Sequence, residues 1–367
     1  MNYQRWVIAF SLMCSVATCS VVQAQEVSEQ FKRLDRNQDG KVTKEEFPGE
    51  LFSRIDANKD DVITAEEDRA FARSRNSQAA GPRVPDSVEA VMDLPYAETY
   101  NARQKLDLYL PKDRKADKPL PVVVFIHGGG WQGGDKRGGY RWIAPMVESG
   151  EYVGVSVGYR LSDEAIWPAQ IHDCKAAIRW IAANAEKYNF DAARIGVTGT
   201  SAGGHLVAML GTSGAVPEVE GKLGKHLKAS SRVKCVVDQF GPTNMLNMGA
   251  SHDKPSSPVS KLLGGPAQEN KEAARSASPT SYVTKDDPPF LFIHGTEDRT
   301  VPFNQSELLH AALQKVGVDS VLVSVPGGGH GNFRTDEVSR RTHEFFDKYL
   351  RGKDVSISAE PIQLGSE

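Results

Sequence analysis

Five residues constrain this chain more than any others. Gly199-Thr200-Ser201-Ala202-Gly203 stands between a strand-like run, Arg194-Ile195-Gly196-Val197-Thr198, and a helix-like stretch that opens at Ser201. A serine at a tight strand-to-helix turn must adopt a strained backbone, and a bulky side chain two residues to either side would clash there. The pattern small, x, Ser, x, small therefore predicts a hydroxyl pushed out at the top of a sheet, in the position of a nucleophile.

A second motif accounts for the charge that such an attack would create. Pro121-Val122-Val123-Val124-Phe125-Ile126 is apolar and of strand length, and His127-Gly128-Gly129-Gly130-Trp131 follows it directly. Backbone N–H groups of Gly129, Gly130 and Ala202 are expected to point at one oxygen as it becomes anionic. Removing one donor of this kind costs on the order of 3–4 kcal/mol. Each motif alone is weak, and the glycines read equally well as a plain turn. Both motifs, in this order, favour acyl chemistry at Ser201.

A serine needs a base, and the base needs an orienting acid. Pro289–Gly295 reads as a buried strand followed by Thr296-Glu297-Asp298-Arg299, and Val321–Val325 as the next, followed by Gly327-Gly328-Gly329-His330-Gly331. Asp298 and His330 thus fall at the same sheet edge as Ser201. Among nine histidines, His127 is expected to brace the glycine loop, His294 to be a buried structural residue and His205 to pack one turn into the helix. His172, His226, His252, His310 and His343 read as solvated. Glu297 and Asp238, the latter after strand-like Val233–Val237, are rival acids.

Apolar runs alternate with amphipathic segments such as Ile171–Ile181 and Leu308–Leu313, which predicts an α/β class with a mostly parallel sheet and helices on both faces. Val91–Leu94 and Leu106–Leu110 suggest an antiparallel opening ribbon. The order Ser, Asp, His resembles the α/β-hydrolases, in particular the hormone-sensitive-lipase type. Further matches are Gly158-Tyr159-Arg160-Leu161, Trp167-Pro168-Ala169-Gln170, Asp173-Cys174-Lys175-Ala176-Ala177 and Asp191-Ala192-Ala193-Arg194-Ile195. In detail the stretch 88–352 is similar to secreted bacterial feruloyl and acetyl-xylan esterases. That resemblance implies ester hydrolysis on decorated polysaccharide by Ser201, Asp298 and His330, with no cofactor for catalysis. Arylformamidases share the His-Gly-Gly-x-Trp loop, so a small ester or amide stays open. A prolyl-oligopeptidase-like peptidase would need a preceding propeller. A non-catalytic calcium-dependent binding protein would not need an intact triad.

The amino-terminal region, 25–75, carries a different signal. Asp35-Arg36-Asn37-Gln38-Asp39-Gly40-Lys41-Val42-Thr43-Lys44-Glu45-Glu46 fits the twelve-residue EF-hand loop. Its expected calcium ligands are Asp35, Asn37, Asp39, the Lys41 carbonyl, Thr43 and Glu46. The pattern repeats with Asp56, Asn58, Asp60, the Val62 carbonyl, Thr64 and Glu67, except that Asp61 stands where glycine is usual. Aspartate tolerates the left-handed backbone better than most residues, so the second loop is expected to form and to bind more weakly. Phe31, Leu34, Leu51, Phe52, Ile55, Val42, Ile63, Phe47 and Phe71 are its expected core. Residues 25–75 contain no methionine, which favours a structural role over a sensor that opens a methionine-rich groove.

Residues 1–24 read as a secretory signal, with Arg5 before an apolar core and Val22-Gln23-Ala24 at the cleavage site. That predicts a secreted or periplasmic protein with no stable membrane span. The net charge of −3 becomes −4 without Arg5, which does not suit nucleic acid. Cys174 and Cys235 would remain, as buried small hydrophobes or as a disulfide. Residues 76–87 read as a linker, 242–285 as an insertion over the site, and 353–367 as a loosely ordered tail. Oligomeric state is not legible.

Overall fold

Val42 and Ile63, the eighth residues of the two twelve-residue loops, pair across a short antiparallel ribbon of β1 (Lys41–Thr43) and β2 (Val62–Thr64). The computed structural model describes residues 31, 34–47, 52–70, 83–99, 101–115, 117–214 and 216–364. The signal segment 1–24, core candidates Leu51 and Phe71, and most of the linker lie outside the described residues. The chain divides into two compact units, one ending at Ala80 and the other beginning at Gly81.

In the first unit the two loops share one backbone. Residue 4 of each loop, Gln38 or Lys59, and residue 6, Gly40 or Asp61, have positive φ. Asp61 reaches φ 64 where its glycine counterpart has φ 80, so the aspartate takes the left-handed turn as expected. Its carboxylate turns outward to Lys44, at 2.9 Å. Phe31, Val42, Phe52, Ile55 and Ile63 form the buried core, with Leu34, Phe47 and Ala65 packed against it.

Eight strands build the second unit's sheet in the order β10-β9-β8-β7-β5-β6-β4-β3. They are β3 (Val88–Pro95), β4 (Lys105–Pro111), β5 (Leu120–Ile126), β6 (Val153–Val157), β7 (Phe190–Thr200), β8 (Cys235–Gln239), β9 (Phe290–Gly295) and β10 (Ser320–Val325). β3 runs antiparallel to β4, and β4 to β6, while every other pair is parallel. β7 begins at Phe190, four residues before its apolar run, and Leu120 pairs with Phe190 across a register shift.

Alternation along the strands decides the layers. Val122, Val124 and Ile126 of β5, with Phe290 and Phe292 of β9, belong to the core covered by residues of α2 (Ala169–Ala183), α3 (Ala202–Thr212) and α6 (Asn304–Lys315). Val123, Phe125, Leu291 and Ile293 join the opposite core, with α1 (Tyr140–Glu148) and α7 (Asp336–Arg351). Near-continuous apolar runs result because both faces of the sheet are covered. Cys174 and Cys235 are free and buried in these two different layers, so the disulfide does not form.

The expected loose tail is corrected over 353–364. Ile362 is buried, and its N–H donates to the Ser324 carbonyl of β10 at 3.0 Å. Arg341 of α7 donates to the Ser358 and Glu360 carbonyls. Ile357 and Leu364 pack beside it, but the spacing of these residues fits no helical or strand period, which is why the sequence pattern missed this contact.

β5 supplies what the site needs. After β5 the chain steps to β6 on one side and then returns to β7 on the other. Loops leaving the carboxyl ends of β5 and β7 therefore diverge and leave a crevice between them, the usual place for a ligand in such sheets.

Candidate active site

Ser201 occupies the turn between β7 and α3 with φ 54 and ψ −120, a sparsely populated region for a residue with a side chain. Close packing holds it there. A Cβ on Gly203 would come within 2.0 Å of the Ile126 carbonyl, and one on Gly199 within 2.3 Å of the Gly203 carbonyl. The Ser201 N–H donates to the Gln239 carbonyl of β8 at 2.9 Å. The steric reading of the two glycines thus has specific contacts behind it.

Asp298 and His330 meet the serine from the ends of β9 and β10. His330 Nε2 lies 2.9 Å from Ser201 Oγ, and His330 Nδ1 lies 2.7 Å from Asp298 Oδ2. Asp298 Oδ1 accepts from the N–H groups of Thr300 and Val301 at 2.8 and 2.9 Å. Burial alone would raise the carboxyl's pKa. Hydrogen bonds from His294, His330 and Val301 outweigh it and hold the group well below the ordinary aspartate range. It stays ionised, as an acid that orients an imidazole must.

The rival acids do not reach His330. Glu297 is exposed. Asp238 is fully buried and accepts from the Gly241 N–H at 2.9 Å, its other oxygen unpartnered. Burial pushes its pKa up to about 7.

His294 does more than the structural part expected of it. Its Nδ1 accepts from Ser306 Oγ at 2.7 Å, and its Nε2–H faces the Val301 carbonyl at 3.0 Å. The same Nε2 is 3.3 Å from Asp298 Oδ2. A strand residue four positions before the acid thus braces the carboxylate that His330 uses. Phe240 was also missed: with φ 47 it sets its ring 4.9 Å from that of His330. Neither has a distinctive sequence signal, because each role depends on the bend at a strand end.

Gly129, Gly130 and Trp131 all have positive φ, at 116, 60 and 56, so the loop after β5 coils tightly beside the serine turn. A Cβ on Gly128 would meet the Thr200 carbonyl at 2.6 Å. Ala202 is the first residue of α3, where an N–H has no intrahelical acceptor. Bracing comes from His127, as expected of it, and also from His205, which was expected only to pack. His127 is buried, stacks on Tyr159 at 4.3 Å, and sits 2.8 Å from the Gly128 carbonyl through Nδ1. His205 accepts from Trp131 Nε1 at 3.2 Å and, through Nε2, donates to the Ala277 carbonyl at 2.7 Å. Burial depresses both pKa values to about 4, so both rings are neutral braces near pH 7.

The 242–285 insertion folds as short helical turns, including α4 (Pro258–Leu263) and α5 (Lys271–Ser276). It rests on the oxyanion loop: a Cβ on Gly130 would lie 3.3 Å from Pro258, and Lys261 donates to Gln132 at 2.9 Å. Trp167 ties the β6–α2 loop to it by donating its N–H to the Leu262 carbonyl and its Nε1 to Ser276 Oγ.

In the first unit, Asp35 and Asp56 accept from backbone N–H groups at loop positions 5 and 6, at 3.0 to 3.2 Å. Glu46 and Glu67, at position 12, accept from Thr43 and Thr64. Asn37 and Asn58 also turn their carbonyl oxygens onto the loop backbone. Among the described residues no three His, Cys, Asp or Glu side chains converge as a metal cluster. The fit to a hard cation rests on the oxygen donor set, which includes the asparagines, threonines and backbone carbonyls.

Comparison with known proteins agrees with this geometry. An EF-hand model matches residues 27–47. The esterase LipC of Mycobacterium tuberculosis is 33% identical over 62% of this chain and 57% of its own length. The chain spans just over half the length of the curated esterases LipC, LipQ and LipM that it matches. A truncated carbohydrate esterase from gut microbiota superposes with a TM-score of 0.69 at 36% identity, over 74% of this chain and 99% of that one. The butyrate-bound Est2 of Thermogutta terrifontis gives 0.57 at 27% identity, over 73% and 94%. The BD-FAE model matches residues 106–313, more than half of the sequence, and the chain belongs to the BD-FAE family of α/β-hydrolases.

Proposed function

We propose that this protein is a secreted serine carboxylesterase that removes acetyl or feruloyl groups from polysaccharide through an acyl-enzyme on Ser201. The observation that carries the ester chemistry is the continuous relay Ser201 Oγ, His330, Asp298, with contacts of 2.9 and 2.7 Å. His330 takes the hydroxyl proton as Ser201 Oγ bonds to the acyl carbon. Asp298 keeps the Nδ1–H tautomer and stabilises the imidazolium that forms. N–H groups of Gly129, Gly130 and Ala202 receive the oxyanion. His330 then gives the proton to the departing alcohol, and water, activated by the same imidazole, releases the acid and restores Ser201.

Support for a carbohydrate substrate is the 36% identity to a carbohydrate esterase across nearly all of that chain, with a bifunctional GH43-CE protein of Bacteroides eggerthii at 34%. Secretion rests on the signal-like residues 1–24. Among the described residues no helix is long and apolar enough to cross a membrane. The EF-hand residues would hold calcium through Asp35, Asn37, Asp39, Lys41, Thr43 and Glu46, and through Asp56, Asn58, Asp60, Val62, Thr64 and Glu67. The ion would supply a cross-link within each loop and no step of catalysis.

The test is product release by the mature protein from acetylated xylan and feruloylated arabinoxylan, beside an aryl acetate. Acetate or ferulate from polymer is the expected result and identifies the acyl group. Turnover of the aryl acetate alone would overturn the polysaccharide assignment and leave a small-molecule esterase. No turnover of any ester would overturn the mechanism.

A further inference from the structure

Away from the serine, α1 and α7 enclose a cavity of about 30 Å³ with two arginines at its edge. Arg141 and Arg334 are both exposed, and they flank one indole. The guanidinium of Arg334 lies 4.4 Å from the Trp142 ring centre and that of Arg141 5.8 Å. Phe125 stacks on the same ring at 5.6 Å and 9°, which fixes the indole as a platform. Arg334 also donates to the Arg141 carbonyl at 3.3 Å.

Two cations are held together here without an anion. Among the described residues neither arginine pairs with a carboxylate. Burial and the neighbouring Arg141 both disfavour the charged state of Arg334. The other polar groups of the cavity are Gln239, Ser339 and Thr342. Thr342 is 5% exposed, and its Oγ1 is buried with no hydrogen-bond partner. A buried unpartnered hydroxyl is unfavourable, and a ligand that accepts its proton removes that cost.

We propose that this cavity between α1 and α7 is a carboxylate-binding site, with Arg141 and Arg334 as its cationic jaws and Thr342 as the donor on its floor. A space of this size admits a small polar head, and the preference for a planar two-oxygen group comes from the geometry of the guanidinium. A guanidinium fork matches a carboxylate with two parallel N–H···O contacts. The rest of the ligand would project past the exposed arginines. The carboxylate is therefore either sugar-borne, as a uronate, or a free small acid.

The location gives the site a route to catalysis. Gln239 lines the cavity, and its carbonyl holds the Ser201 N–H. Arg334 lies four residues beyond His330 on the same loop. The existence of the site does not depend on the ester reading of Ser201.

Calorimetric titration of the full chain with glucuronate, acetate, glucose and inorganic phosphate tests the proposal. Saturable binding of a carboxylate is expected, at least tenfold weaker in Arg141→Gln and in Arg334→Gln, and weaker in Thr342→Val. Glucose should not bind at this site. Glucuronate preferred over acetate by tenfold or more assigns a sugar-borne group, and comparable binding assigns a free acid. Unchanged carboxylate affinity in both arginine variants, glucose binding as tightly as glucuronate, or phosphate binding more tightly than either would overturn it. Aryl acetate turnover of the arginine variants without added carboxylate should match the wild type, so failure here is separable from failure of the esterase reading.

Discussion

His294 and His330 approach the same oxygen of Asp298, from 3.3 and 2.7 Å. Only His330 also touches the serine. The carboxylate is thus held by two imidazoles with unequal duties, one fixed in the core and one at the reacting edge. His294→Gln should therefore lower kcat roughly ten- to a hundredfold, as expected for losing a hydrogen bond of about 1.5–3 kcal/mol to a charged group. KM for an aryl acetate should stay near its wild-type value. Steady-state kinetics check this, and a change confined to KM would contradict it.

Ser201→Ala and His330→Ala should each reduce kcat by about 10⁴-fold or more, with the double variant hardly worse, because the two act as a unit. Circular dichroism and thermal melting should match the wild type. Retention of most activity by either variant would remove Ser201 or His330 from the proposed mechanism.

Asp238 gives a pH dependence with a definite sign. Its folded pKa, about 7, is above the ordinary aspartate value because burial favours the neutral form. The native state then holds a proton that the unfolded chain has lost, so this group's contribution declines as pH rises from about 4 to about 7. Asp238→Asn keeps the shape without the ionisation. The variant should gain stability relative to wild type across that window, on the order of 2–4 kcal/mol. Melting temperatures at pH 5 and pH 8 check it: an equal difference at both values would contradict the assignment.

His127 and His205 act in the opposite sense. Their depressed pKa values of about 4 mean that both are buried neutral. Their stabilisation is complete above the unfolded value near 6.5 and is lost as pH falls towards 4. Protonation also removes the Nδ1 lone pair that receives Trp131. Aryl acetate turnover should therefore fall below pH 5, in parallel with loss of the Trp131 environment followed by fluorescence. Full activity at pH 4 would show that the braces are dispensable.

Glu46→Gln, or calcium chelation of the wild type, should lower the melting temperature measured in calcium and leave aryl acetate turnover within about twofold. A large loss of turnover would instead assign the hands a regulatory role.

The triad was legible because each member follows an apolar run of strand length, and parallel strands deliver their carboxyl ends to one edge. Asp298 was the acid expected, with Asp238 its rival because both follow strands, and only the β9 bend turns its carboxylate to His330. Val42 and Ile63 were legible from the loop repeat. By contrast, α4 and α5 are each six residues long, too short for a helical period to stand out. Arg141 and Arg334 are 193 positions apart, and no local pattern joins them. Ile362 was lost because Val355, Ile357, Ile362 and Leu364 follow neither a helical nor a strand period.

The resting of the 242–285 segment on the oxyanion loop, through Pro258, Lys261 and the Trp167 contacts, gives the site a floor and a roof with different origins in the chain. Serine, acid and base descend with the sheet, whose strand ends tolerate almost no added atoms around Gly199 and Gly203. The overlying segment contributes none of the three, yet Met245, Val259, Leu262, Leu263 and Ala274 of it are buried in the same core as α2 and α3. A substitution in that roof therefore acts on the packing of the fold and on the loop beside the serine at once.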